Sequence, residues 1–416
     1  MFRCLSVLGL AGHCVLLESS AGWAGAVGSV YRIVKFRSRW PVQSFKAIKE
    51  PFQGDSAYGV ARRAVCLARA PAHRRFASDG VLRKNRAAPE VGGPVPVLLC
   101  STDTAAGQVS LVLKHGASAY RHWAAVRTAN GPRGALLGVD QRGFVANGST
   151  NTVSELDLVS GSEWGRIGVG WGPRGLGLAE GRFLLVANSG SDTVSVVDLT
   201  LRTELVAVPV GRDPRQITVS GDGADAYVVL WGAGCVSRLD LTPLRAGHPE
   251  LVREVDRFSL GTGVHPCGMA VTPGGRRAVV ACRSLGWVAV LDLIEERVLC
   301  RIEVPEGGGR SVAFIEDGEY ALVTLEHARA VAVLDMLEMT LTRCIPVGPS
   351  PTGIAVDEED GTLYCTLAPR SVAVVHLAGV DLSNEDGAPQ YEYLTVGAGP
   401  SSVCLAPLPP SIPWPV

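Results

Sequence analysis

The chain has 416 residues, 47% of them hydrophobic and 19% charged, with 49 glycines and 26 prolines. That composition supplies a large core and suits an all-β protein with many tight turns. The net charge of −1 hides an asymmetry, because residues 1–94 carry 15 basic and 5 acidic side chains and the remainder carries 24 and 35. An acidic body excludes phosphate-backbone binding, which needs a basic face, so no nucleic-acid partner is expected.

In chain order, CLSVLGLAGHCVLL (4–17) is apolar apart from His13 and follows Arg3, with Ala24-Gly25-Ala26 downstream. It has the outline of a signal peptide and is too short to span a bilayer. Beyond it the segment is Arg-rich and acid-poor, without a sustained apolar period, so residues 1–94 are expected to be a basic, largely disordered leader. Three readings stand for it: an export signal, an organellar transit sequence, or an extension outside the native protein, which would leave the chain cytoplasmic.

From residue 95 the chain repeats itself. One strand recurs as VSLVL (109–113), VSELD (153–157), VSVVD (194–198), VSRLD (236–240), VAVLD (288–292), VAVLD (331–335) and VAVVH (372–376). The steps are 44, 41, 42, 52, 43 and 41 residues, the period of four-stranded repeat units. The long step contains TPLRAGHPELV (242–252), read as a surface loop. Each unit starts with a Gly/Pro-rich lead-in such as GPRG (131–134), GPRG (172–175), GRDPRQ (211–216) or GVHPCG (263–268). A short strand, a turn such as SGDG (220–223) and a hairpin like FLLVANSGSDTVSVVDL (183–199) follow, then an outer strand. The polar turns with Asp-Gly and Gly-Gly pairs are hairpin signals.

VANSGSDTVSVVDL and VANGSTNTVSELDL resemble the YVTN family of β-propeller repeats, and the resemblance covers roughly residues 95–407. WD40 propellers have a similar period, but their Gly-His and Trp-Asp signatures are missing here. The expected fold is therefore all-β, a seven-bladed propeller over residues 95–408 with a Pro-rich tail, 409–416. The first hairpin (97–113) lacks an inner strand and the chain ends in one spare strand. The C-terminal strand should complete the first blade and close the ring, leaving no open edge.

Asp157, Asp198, Asp240, Asp292 and Asp335 end their strands and read as caps of the following turns, not as a catalytic ring; His376 fills the same column. GWGPRG (170–175) matches a dinucleotide fingerprint but lies between two strands, so it fails the context that motif needs. Eleven cysteines contain no CxxC pair and no zinc spacing, and no cofactor or metal is expected. Cys267 and Cys282 lie across one hairpin, where a bridge or two free thiols in a reducing compartment are alternatives. His265 and Cys267, two apart, read as a channel-mouth pair for acid/base or soft-metal chemistry, or as packing residues.

One column of the lead-in carries Arg133, Arg174, Arg215 and Arg310, with Cys267, Thr352 and Ser401 in the other repeats. Four guanidiniums around one mouth form an anion-attracting funnel, unless each pairs with a carboxylate such as Asp213. The main functional expectation is a monomeric, non-enzymatic propeller that binds a small anionic ligand or a protein partner there. The alternatives are a propeller lactonase or lyase using His265 as acid/base, and a redox-enzyme subunit like the amine-dehydrogenase heavy chains.

Overall fold

The computed structural model describes residues 96–407 apart from 117–118, 139–140, 284, 306 and 308, together with the backbone of three strands nearer the N-terminus. Those three, Leu5–Leu10, His13–Ser19 and Tyr31–Arg37, pair as an antiparallel meander within a unit of its own, Met1–Asn85. The rest of what was expected for residues 1–94, and the Pro-rich tail, lie outside the described residues.

The second unit consists of seven four-stranded antiparallel sheets, the blades of one ring. The third blade shows why these residues form strands. Phe183–Asn188 and Thr193–Asp198 make the expected hairpin, between an inner strand, Pro173–Ala179, and an outer one, Thr203–Pro209. Alternate side chains point to opposite faces of a strand. Leu185 and Ala187 accordingly pack toward the fourth blade, and Leu184 and Val186 toward the second. Both faces are covered, which is why the strand is a continuous apolar run instead of an alternating one. Seven hydrophobic clusters result, one at each contact between neighbouring blades. Each fully buried Leu or Val in them contributes roughly 1.5–3 kcal/mol relative to exposure.

The ring closes as expected. Pro400–Pro407 is the inner strand of the first blade, paired with Val97–Asp103 from Pro400 opposite Asp103 to Pro407 opposite Val97. A second clasp lies farther out, where Lys114 of the first blade reaches Asp357 and Asp360 of the seventh, each at 2.6 Å, with its ammonium almost fully buried.

The strand-ending aspartates cap turns. Asp198 accepts from the backbone N–H of Thr200 at 2.7 Å, Asp292 from Ile294 and Glu295, and Asp335 from Leu337 and Glu338. The insertion at 242–252 is more than a surface loop. It folds into one α-helical turn, Thr242–Arg245, and one 3-10 turn, Pro249–Leu251, and it sends Leu244 into the core between the third and fourth blades. Pro243 and Pro249 each stand in the first turn, where no intrahelical N–H is lost.

Candidate anion-binding site at the channel mouth

Every inner strand begins with an irregularity in its pairing. The register breaks after Pro132, Pro173, Pro214, Pro266, Gly309, Pro351 and Pro400. Bulges of this kind release a residue from the ladder and re-aim its side chain. The residues released are Arg133, Arg174, Arg215, Cys267, Arg310, Thr352 and Ser401, the column read from the repeats, and all seven line one cavity of about 300 Å³.

Small residues bring these strands close together. A Cβ on Gly134 would stand 2.2 Å from the Arg174 carbonyl oxygen, and one on Gly268 would stand 2.4 Å from that of Arg310. The glycine after the column position thus lets the next blade's backbone approach, which draws the arginines toward one another. In the fourth blade Gln216 takes that place and bonds the fifth blade's inner strand instead. Its Nε2 donates to the Met269 carbonyl at 3.0 Å, and its Oε1 accepts from the Met269 N–H at 2.9 Å.

The four guanidiniums differ in their surroundings. Arg215 pairs with Asp213, Nη2 to Oδ2 at 2.8 Å, and lies over the Trp231 ring with Cζ 3.9 Å from its centroid. Asp213 does this from a left-handed backbone conformation, φ +53°, a strained position for a non-glycine residue. Arg310 lies 3.4 Å from Glu326, which Arg283 shares at 3.0 Å. Arg133 and Arg174 have no carboxylate at ion-pair distance among the described residues. Burial, together with the positive charge of Arg215, Arg133 and Arg310, pushes Arg174 down to about 10, against the pull of Asp213.

Ser311, Thr352, Ser401 and Ser402 line the cavity as well. The lining contains no His, Asp or Glu. Cys267 donates to the Gly309 carbonyl at 3.1 Å, and burial pushes its thiol up to about 11, so it is protonated at neutral pH. His265 lies outside the lining and stacks on Trp231, with ring centroids 4.8 Å apart and planes 19° from parallel. Cys282 is a free thiol opposite Pro266 in the register, and Cys267 is free too, so the structure has no bridge between them. Among the described residues there is no cluster of three or more His, Cys, Asp or Glu side chains able to hold a metal, and no helix is long and apolar enough to cross a membrane.

No family model matches the chain, and no curated protein does. Solved structures do. The chain is similar to the periplasmic gluconolactonase PpgL of Pseudomonas aeruginosa (18% identity, TM-score 0.62, covering 76% of this chain and all of that one). A Bacteroides fragilis protein provisionally described as a 6-phosphogluconolactonase gives 14% identity and a TM-score of 0.66, over 77% of this chain and all of that one. Hydrazine synthase of Kuenenia stuttgartiensis gives 20% identity and 0.57, over 68% and 96%. These likenesses show the fold. They establish the propeller without the YVTN family to which its repeats are similar.

Proposed function

We propose that the protein binds a small anionic molecule at the mouth of its central channel, and that its repeats are of the YVTN type. The observation that carries the proposal is Arg174, partly buried, beside three other guanidiniums and, among the described residues, without a paired carboxylate. A cation in that state is stabilised by an incoming anion, and guanidinium forks suit carboxylate and phosphate oxygens. The hydroxyls of Ser311, Thr352, Ser401 and Ser402 would complete the contacts to a polar ligand. The test is a titration with inorganic phosphate, gluconate and 6-phosphogluconate by calorimetry. Wild type should bind at least one of them more weakly as salt is added, and the Arg174→Ala, Arg215→Ala double variant should bind about 100-fold more weakly, at ~1.4 kcal/mol per tenfold. Equal binding by both proteins, or none by either, overturns the proposal.

A second reading is hydrolysis of an anionic sugar lactone, and it is supported by the likeness to propellers described as lactonases. The arginines would then stabilise the oxyanion of the tetrahedral intermediate. The base that activates water would have to come from behind the lining, where Asp213 and Glu326 hold Arg215 and Arg310. Turnover of 6-phosphogluconolactone that falls at least 100-fold in Glu326→Gln or Asp213→Asn supports this reading, and binding without turnover leaves a binding protein.

A further inference from the structure

The two strands that close the ring carry a cysteine each at the same level. Cys404 of the C-terminal strand is the register partner of Cys100, 304 positions away in the chain. Directly opposed residues of an antiparallel pair have their side chains on one face, with Cα atoms about 4.5 or 5.5 Å apart. Both spacings fall inside the ~4.4–6.8 Å range that a disulfide accepts. The packing agrees with the register, because both side chains belong to the cluster between the first and second blades. The Cys404 thiol lies 4.0 Å from the Cys100 carbonyl oxygen. Cys100 is fully buried and Cys404 only partly so, which makes Cys404 the more accessible residue of the pair.

We propose that Cys100 and Cys404 form a redox-active dithiol whose oxidation locks the propeller ring covalently. The oxidant is a small disulfide such as oxidised glutathione. The Cys404 thiolate attacks one sulfur of that disulfide, which releases one glutathione thiolate and leaves a mixed disulfide on Cys404. The Cys100 thiol then loses its proton and displaces the second glutathione, so that two protein thiols and one glutathione disulfide become one protein disulfide and two glutathione thiols. A hydrogen bond with Cys404, together with burial, holds the Cys100 thiol well above its ordinary range. Its step is therefore the slow one and quickens as pH rises. The bond would join the ends of a loop longer than 300 residues, the kind of link that most restricts an unfolded chain.

The experiment uses the full chain, folded, and incubated with oxidised and reduced glutathione at set ratios. Peptides are mapped by mass spectrometry after alkylation. The expected result is a Cys100–Cys404 linked peptide that appears under oxidising ratios and disappears on reduction. Oxidised wild type should also unfold roughly 5 °C above reduced wild type, and Cys404→Ser should show no such difference. Reduced wild type is its own reference, so the comparison survives even if a variant folds poorly. Glutathione that stays on Cys404 while Cys100 alkylates freely on unfolding overturns the proposal, and so does a linked protein with an unchanged unfolding midpoint.

Discussion

At Arg174, the proposed anion binding and the stability of the fold pull in opposite directions. Its folded-state value is lowered, so at neutral pH the charged side chain costs stability, and that cost is relieved only as pH rises through about 10. Arg174→Met should therefore raise the unfolding midpoint by a few degrees, on the order of 1–3 kcal/mol, while it weakens anion binding. Thermal unfolding and calorimetry on the same preparation check both halves. The arginine column was legible in the sequence because a repeat places equivalent residues at one height. The bulge that turns those residues inward was not, since it depends on pairing with the next strand. The stacking of His265 was not legible for a related reason. Trp231, which it stacks on, stands in the hairpin turn of the preceding blade, between Asp225–Leu230 and Cys235–Asp240, a neighbour that spacing along the chain does not reveal.

At the level of strands and turns, the capping aspartates give the clearest pH dependence. Hydrogen bonding to Arg182 and to the Thr200 and Leu201 N–H groups lowers Asp198, and similar bonds lower Asp157, Asp240 and Asp292. A carboxylate lowered by folding contributes stability above its unfolded value near 4 and loses it as pH falls through the folded value. Asp198→Ala should lower the midpoint by roughly 2–5 °C at pH 7, and the difference from wild type should shrink toward zero near pH 2. A difference that stays constant with pH would assign the cap to packing alone. These turns were readable from Asp-Leu alone. The insertion at 242–252 was not, because nothing local marks Leu244 as the residue that reaches the core.

The molecule as a whole depends on its closure. Lys114 holds Asp357 and Asp360 across the last junction, and the Lys114 and Asp357 side chains are nearly buried while that of Asp360 is partly exposed. Lys114→Met leaves two carboxylates without their cation and should cost about 3–5 kcal/mol, read from urea unfolding. Ending the chain after Pro400 removes the inner strand beside Val97–Asp103 and should abolish the single cooperative transition. The closure itself was predictable by counting, since one blade lacked a strand and the end of the chain had one to spare. The Lys114 clasp was invisible to that count, because its partners stand more than 240 residues away.

The contacts of Gly134 and Gly268 with the Arg174 and Arg310 carbonyls have a wider consequence. The backbone atoms that fix the distance between blades belong to the same residues whose side chains face the channel. The gauge of the mouth is therefore tied to the number of blades: it cannot widen for a larger guest without parting the inner strands. Exchange of the column residues could change which molecules are held, but only an added or lost repeat could change their calibre.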